Sequence, residues 1–454
     1  MQILKAIIGM AVEMNKNQLI TGTCVDYTYD GLGVVKYDTF CVFVKGMLLS
    51  EQGEILITLV KKNYAYGRLM KLTKTSKHRI EPVCSCAKQC GGCQLTHFSY
   101  QHQLQFKRNI VSNDIRNIAK LDVEIDDIVG MEKPYKYRNK VILPVGKDKD
   151  NKTILGFYRY NSHQIINIEK CYLQSDKVNS LIDKIKSLFD KYNYQDIIRY
   201  VMIREMARTK QMMLVLVSYK QNVDRLTDFV SEIVEYQPEI KSIILNHNDK
   251  DTNVILSDKD FLLYGSKYIE DILCENRYLV SAHSFYQVNT FQTELLYNKA
   301  IELADLSKND QILDLYCGVG TIGLSLSKYV KNVYGVEIVK QAIDDANRNS
   351  SINNITNAKF ICGDAYEVTK KLYDDGIRFD CIFVDPPRKG CSKQTIDTLI
   401  NLGSKKIVYI SCGPSTLARD LAILSSHYEV KKVVPVDMFP NTYHCETIAL
   451  LVRK

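Results

Sequence analysis

From Ser281 onward the chain alternates short apolar strands with helices: a helix over 294–305, then QILDLY, a glycine loop, GLSLSKYV, NVYGVEI, QAIDDANRNSSI, AKFICGD, a helix, FDCIFVD, a helix and KIVYISC. Strict alternation of elements this short favours one architecture, a parallel doubly wound sheet with helices on both faces. Such a sheet binds its ligand beyond the carboxyl ends of its strands, so residues at those ends carry the first clues to function.

Upstream the pattern differs. From Gln18 to about Leu72, short β-rich runs broken by glycine (LITGTCVDYTY, DGLGVVKY, FCVFVKGML, GEILITLVKKNYAYGRL) predict a small antiparallel barrel of the oligonucleotide-binding type. Between them and the alternating region, strands and helices mix without a repeat, and their topology is not readable from the pattern. The expected organisation is an α/β chain with a barrel over 14–72, a mixed α+β central domain over 73–275 and a doubly wound domain over 276–454.

Charge points to a partner. Lysine and arginine number 60 against 52 acids, a small excess that is strongly localised. Residues 61–110 hold ten basic side chains (Lys61, Lys62, Arg68, Lys71, Lys74, Lys77, Arg79, Lys88, Lys107, Arg108) against the single acid Glu81. Residues 133–159 hold eight against Asp148 and Asp150. A short charge run is commonly a solvated face, but these stretches interleave with Tyr64, Tyr66, Tyr100, Tyr135, Tyr137, Tyr158 and Tyr160, which favours a polyanion with stackable bases. RNA or DNA is the expected partner. No apolar run approaches the roughly 18 residues of a membrane span, and the start MQILKAIIGMAVEM has no small-residue cleavage site, so a cytoplasmic location is expected.

Five strand ends carry chemistry. The first runs into DLYCGVGTIGL, where Gly318 and Gly320 let the backbone turn tightly against a ligand, although this is not the G-x-G-x-x-G dinucleotide pattern. Glu337 ends the second strand, where a carboxylate can accept both hydroxyls of a ribose, and Asp364 follows the third in GDA. A lone strand-end glutamate is as often a surface acid. Beside this loop, Glu337, Gly318 and Asp364 favour S-adenosylmethionine over NAD or ATP. The fourth strand ends in FVDPPRKG, where two prolines stiffen the loop after Asp385; Arg388 stands where amino-methylases of adenine carry an aromatic ring. The next ends in VYISCGPSTLARDL, placing Cys412 before a helix whose N-terminus favours a thiolate. An arbitrary cysteine is more often a small buried hydrophobe, as expected for Cys24, Cys362 and Cys381, but the open end of the sheet suits a nucleophile. Glu446 opens the apolar run ETIALLV, a position that calls for a reason such as general-base work, and His444 nearby fits a structural role better.

The remaining signal is VCSCAKQCGGCQ, with Cys84, Cys86, Cys90 and Cys93, followed far along the chain by Cys171. Fourteen cysteines in so long a chain are too sparse for a disulfide scaffold. Closely spaced thiols in a basic loop point to a metal, with zinc and an iron–sulfur cluster both open from spacing alone.

Taken together these segments resemble the RNA uracil-5-methyltransferases, in particular the branch that has an N-terminal TRAM barrel and an iron–sulfur cluster and modifies 23S ribosomal RNA. The resemblance rests on FYQVN, DLYCGVGT, DPPRKG, SCGPSTLARDL and the terminal HCET, in that order and spacing, and covers nearly the whole chain. It implies a Rossmann-like S-adenosylmethionine-dependent domain in which Gln287, Tyr316, Glu337 and Asp385 contact the cofactor, Cys412 is the nucleophile and Glu446 the proton acceptor. It also implies a 4Fe-4S cluster on Cys84, Cys90, Cys93 and Cys171, with Cys86 left over. The chain departs from the family in having Cys445 where valine is common, in LLSEQGE where proline and glycine often precede the glutamate, and in its residues before Met14, which have no counterpart and fit an upstream start codon.

The implied chemistry accounts for the residue types. Carbon 5 of uracil is a poor nucleophile until a thiolate adds to carbon 6, and the adduct then needs a base to remove the proton on carbon 5. The uridine must be flipped out or unpaired to be reached. Two rivals remain: a transfer-RNA uridine methyltransferase, whose branch typically lacks both barrel and cluster, and a non-catalytic iron–sulfur RNA-binding protein on the same fold.

Overall fold

The computed structural model describes residues 14–38, 40–250 and 252–454, so the expectation about residues before Met14 lies outside the described residues. The chain divides into two compact units.

The first unit takes in the described residues up to Lys88 together with Gly92–Phe106 and Pro440–Tyr443. Its strands β1 (Leu19–Tyr27), β2 (Gly33–Tyr37), β3 (Phe40–Lys45), β4 (Gln52–Val60) and β5 (Tyr64–Lys74) close into a barrel in the order β1-β2-β3-β5-β4. Alternation drives the closure: Ile20, Val35, Val42, Val44, Ile55, Ile57 and Ala65 point inward and are buried, while every second residue faces out. The interior is full. A Cβ on Gly67 would stand 2.2 Å from Ile55 Cγ2, so only glycine fits there. The loop LLSEQGE is fixed by Glu51, whose fully buried carboxylate accepts from Arg79 Nε and Nη2 (2.6 and 2.7 Å) and from the amides of Leu48 and Ser76. Burial opposes that charge, but Arg79 and the two amides hold the carboxyl below its usual range. The late segment joins this unit through Asn441, whose carbonyl accepts from the amides of Gln94 and Leu95 and whose amide donates to Gln103.

The second unit holds Gln89–Gly91, Lys107–Phe439 and His444–Lys454. It begins within α1 (Tyr100–Asp114) and contains a seven-stranded mixed sheet of order β12-β11-β10-β9-β6-β7-β8. These strands are β6 (Lys140–Lys147), β7 (Thr153–Tyr158), β8 (Ile165–Asn167), β9 (Ile198–Glu205), β10 (Met212–Ser218), β11 (Ile240–His247) and β12 (Asp260–Gly265). Helices α2 (Asp176–Tyr192) and α3 (Leu226–Tyr236) share its apolar cluster, and the hairpin β13 (Ile269–Leu273) and β14 (Asn276–Val280) leads onward.

The alternating region forms the expected doubly wound sheet. Helices α4 (Thr290–Ala304), α5 (Thr321–Leu326), α6 (Lys340–Ile352), α7 (Ala365–Asp374), α8 (Lys393–Leu402) and α9 (Pro414–Leu424) alternate with β15 (Gln311–Leu315), β16 (Asn332–Glu337), β17 (Ala358–Cys362), β18 (Cys381–Val384) and β19 (Lys406–Ser411). The chain ends in β20 (Tyr428–Val436) and β21 (Glu446–Arg453). The order is β17-β16-β15-β18-β19-β21-β20, with β15 to β19 parallel and β21 antiparallel to both neighbours. Successive residues of a strand feed opposite cores: Ile312 packs with α4, α5 and α6, and Leu313 and Leu315 with α7, α8 and α9. The order reverses between β15 and β18, which makes the crevice above that pair the place where a ligand fits. No helix among the described residues is long and apolar enough to cross a membrane.

Candidate active site at the open end of the sheet

The reversal point is built by a buried acid. Asp314, fully buried on β15, accepts the amide of Gly323 at 2.9 Å and so ties the strand to the start of α5. Burial raises its carboxyl to about 8, with Asp385 and Glu337 adding to the effect. The loop that follows turns through Tyr316, Gly318 and Gly320, all at positive φ (64°, 54° and 82°). A Cβ on Gly320 would strike the Phe360 ring at 2.8 Å, whereas one on Gly318 would meet nothing within 4 Å. Gly318 thus borders open space, and its amide donates to Glu337 Oε2 (3.3 Å) while Val339 donates to Oε1 (3.0 Å). These two amides aim the carboxylate at the end of β16 beside the open loop. Tyr316 shares a hydrogen bond with Thr395 (3.2 Å), and burial lifts its phenol to about 12. The donor set suits an adenosine-type molecule: an open glycine cradle, an oriented carboxylate for a ribose and a rigid Asp-Pro-Pro edge. Asp364 caps α7, its Oδ1 accepting from the amides of Tyr366 and Glu367.

Next to this cradle lies a second group. The β19–β21 ladder ends at the pair Ser411 and Thr447, and Cys412 and Glu446 are the residues that flank this last rung. Glu446 is 3% exposed; burial and then Asp385 raise it to about 8, against Arg388, and burial takes Asp385 to about 7. Cys412 rises to about 11 through burial first, then Glu446 and Asp385, with Arg388 opposing. A helix N-terminus was expected to favour the thiolate. Here α9 starts beyond Gly413, and burial with two facing carboxylates outweighs it. Cys412, Glu446, Asp385 and Arg388 therefore form one electrostatically coupled set. The sequence reading used Arg388 only to exclude an adenine-type methylase and missed that it is the cation of this set. His444 is pushed down to about 4 by burial and by Arg388, Lys107 and Arg138, so it is neutral and weakly basic near pH 7.

Several long-range clamps hold these groups. Residues 282–288, which include Gln287, are gripped from the central sheet: Arg204 donates to Ser284 O (2.7 Å), and Asn139 donates to Gln287 O (2.8 Å) and Val288 O (2.8 Å). Asn289 donates to Met438 O (3.0 Å), and the fully buried pair Lys107–Asp437 (2.5 Å) reaches Phe439 O through the same ammonium. The DPPRKG loop is pinned to α9 by Asp420, which accepts from Tyr409 (2.6 Å) and the amide of Cys391 (2.9 Å). Lys107, counted in the sequence among the basic residues expected to face a polyanion, is instead fully buried against Asp437, and nothing in the sequence marked Arg204, Asn139 or Asp420.

The cysteine cluster behaves otherwise. Among the described residues no three or more His, Cys, Asp or Glu side chains gather as a metal site, so Cys84, Cys90, Cys93 and Cys171 are not brought together as a ligand set. All four are half-buried, and Cys86, the supposed extra, interacts with Cys84.

Comparison with known proteins identifies the family. Residues 99–454 match the family model described as tRNA (uracil-5-)-methyltransferase. The chain belongs to the RNA uracil-5-methyltransferase family. It is 44% identical over 448 residues to an "uncharacterized RNA methyltransferase" of Staphylococcus aureus (strain MRSA252), covering 97% of this chain and 99% of the relative. A protein of the same description from Bacillus cereus (strain ATCC 10987) is 43% identical over 454 residues, with 98% of each chain covered. Among solved structures, the Pyrococcus abyssi tRNA (uracil-54, C5)-methyltransferase in complex with S-adenosyl-L-homocysteine matches with a TM-score of 0.76 at 28% identity, over 95% of this chain and all of that one. The methyltransferase is thus an RNA-modifying enzyme on an S-adenosylmethionine-dependent fold, which sets aside the non-catalytic alternative.

Proposed function

We propose that the enzyme methylates carbon 5 of a uridine in 23S ribosomal RNA, with Cys412 as nucleophile and Glu446 as proton acceptor. One observation carries the assignment of roles: the Cys412 thiol and the buried Glu446 carboxylate flank the last rung of the β19–β21 ladder, with the charges of Glu446 and Asp385 acting on the thiol. Gly318, Tyr316, Glu337, Asp385, Gln287 and the exposed edge of Asp364 would hold S-adenosylmethionine, which supplies an electrophilic methyl group when bound. The Cys412 sulfur adds to carbon 6, and the carbon 5–carbon 6 electron pair moves toward oxygen 4, making carbon 5 nucleophilic. After methylation, Glu446 takes the proton from carbon 5, the pair restores the double bond, and the carbon–sulfur bond breaks to return the thiolate. Arg388 opposes the two carboxylates and so eases formation of that thiolate.

The cysteine pattern supports the ribosomal substrate through the resemblance to the TRAM and iron–sulfur branch; the barrel does not separate the two substrates, because the Pyrococcus abyssi transfer-RNA enzyme matches 95% of this chain and so spans it as well. Assignment of a 4Fe-4S cluster to Cys84, Cys90, Cys93 and Cys171 rests on spacing and on that resemblance. A second reading, transfer RNA, is favoured by the printed substrate of the Pyrococcus abyssi relative. Mapping 5-methyluridine across ribosomal and transfer RNA in a deletion strain tests the two: loss from 23S RNA alone supports the first, loss from transfer RNA alone overturns it. We also propose a cytoplasmic location, where such RNA is found.

A further inference from the structure

The barrel carries three aromatic rings on its outside. Strands β3 and β5 run parallel, with Cys41 beside Tyr64, Phe43 beside Tyr66 and Lys45 beside Arg68. The residues between them, Val42, Val44 and Ala65, are wholly buried, so alternation turns Phe43, Tyr64 and Tyr66 outward. None of the three belongs to the barrel core, unlike Tyr37, Phe40 and Leu69, which pack on it. Their centroids lie 5.5, 5.7 and 5.8 Å apart, close enough to form one continuous surface. Leu59, paired with Tyr66 across the β4–β5 ladder, and Met70, further along β5, are 43% and 51% exposed, with Tyr66 at 37%. Apolar outward residues of this kind on a barrel strand are costly unless they meet a partner.

The rim tells which partner. Lys36, Lys45, Lys61, Lys62, Arg68 and Lys71 surround the rings on the same or adjoining strands and turns, against Glu54 on β4 and Asp38 at the β2–β3 turn. A protein or lipid face would need larger continuous apolar area, whereas rings spaced along strands and ringed by cations match bases on a charged backbone. We infer that Phe43, Tyr64 and Tyr66 form a stacking platform for unpaired bases of a single-stranded RNA segment, whose phosphates are met by Lys45, Arg68 and the β4–β5 turn lysines. This deepens the RNA-substrate reading above, on which it rests: it assigns a binding surface on the barrel.

The sequence contains no tryptophan, so Phe43→Trp places a single indole on the platform. The full chain carrying it is titrated with a uridine-rich single-stranded oligoribonucleotide and with a duplex of equal length, while binding is followed independently by anisotropy of labelled RNA. Stacking quenches the indole with the same midpoint as the anisotropy, for the single strand and not for the duplex. The double variant Phe43→Ala, Tyr66→Ala binds the single strand roughly tenfold or more weakly, Phe43→Tyr with Tyr66→Phe restores affinity, and S-adenosylhomocysteine binding is unchanged in all of them. Lys45→Glu with Arg68→Glu flattens the salt dependence of RNA binding. RNA binding that leaves the indole unaffected, or a double variant that binds like the parent, overturns the platform and leaves the RNA substrate standing. Absence of RNA binding by the unaltered chain overturns both.

Discussion

Replacing Glu446 by glutamine isolates the closing step of the reaction. Burial and Asp385 raise the Glu446 carboxyl to about 8, so roughly a tenth of sites hold the base form at pH 7 and roughly nine-tenths at pH 9. Where proton removal limits turnover, the parent enzyme therefore speeds up about tenfold across that interval and then levels off. Glutamine keeps the shape but accepts no proton, and loss of a positioned base costs on the order of 10²- to 10⁴-fold in product release. Cys412 is untouched, so addition and methylation proceed and the protein accumulates joined to methylated RNA through sulfur. The assay pairs a rapid quench with methyl-labelled cofactor and a denaturing gel: label should appear in a slow protein–RNA band while free product does not. A glutamine variant that releases product at the parental rate, or that keeps the tenfold rise with pH, refutes the assignment. A slow band that appears only when His444 is replaced moves the base to that residue.

Four further outcomes are expected. Cys412→Ala should abolish both methyl transfer and the adduct while S-adenosylhomocysteine binding persists, as calorimetry can check. Lys107→Met leaves Asp437 charged and buried, which should cost about 3–5 kcal/mol in urea unfolding, largely recovered in Lys107→Met, Asp437→Leu. Asp314, with its folded carboxyl raised to about 8, binds a proton in the folded state that the unfolded chain releases near 3.8; its stabilisation is full below that pH and lost as pH rises toward 8. Asp314→Asn should therefore flatten the decline of melting temperature across that window. Protein purified without oxygen should be brown with about four iron atoms per chain, and colourless protein with one zinc would defeat the iron–sulfur proposal.

The doubly wound sheet was legible because its glycines, prolines and β-branched runs punctuate each strand end, and Asp385, Cys412 and Glu446 all sit at such ends. The barrel was legible from the alternation of residues such as Val42 and Val44 with their outward neighbours. The central sheet was not. All seven residues of Met212–Ser218 are buried, so β10 has no alternation to read, and it pairs antiparallel with β9 but parallel with β11. Charge states were the other blind spot: the thiol of Cys412 looks activated beside a helix start, yet its burial and the two acids facing it are products of distant chain segments. The same holds for Arg204 and Asn139, which bond to Ser284 and Gln287 across 80 and 148 positions of chain.

Asn441 gives the protein a clock. It completes the first unit by accepting from Gln94 and Leu95 and donating to Gln103, from which 338 positions of chain separate it. At ribosomal speeds of roughly 5–20 residues per second, that separation is on the order of tens of seconds of synthesis. Until Asn441 emerges, the amides of Gln94 and Leu95 lack their acceptor. The unit that bears the barrel is thus finished only after Cys412 has been made, and a chain that stalls between them carries its nucleophile without a completed N-terminal unit.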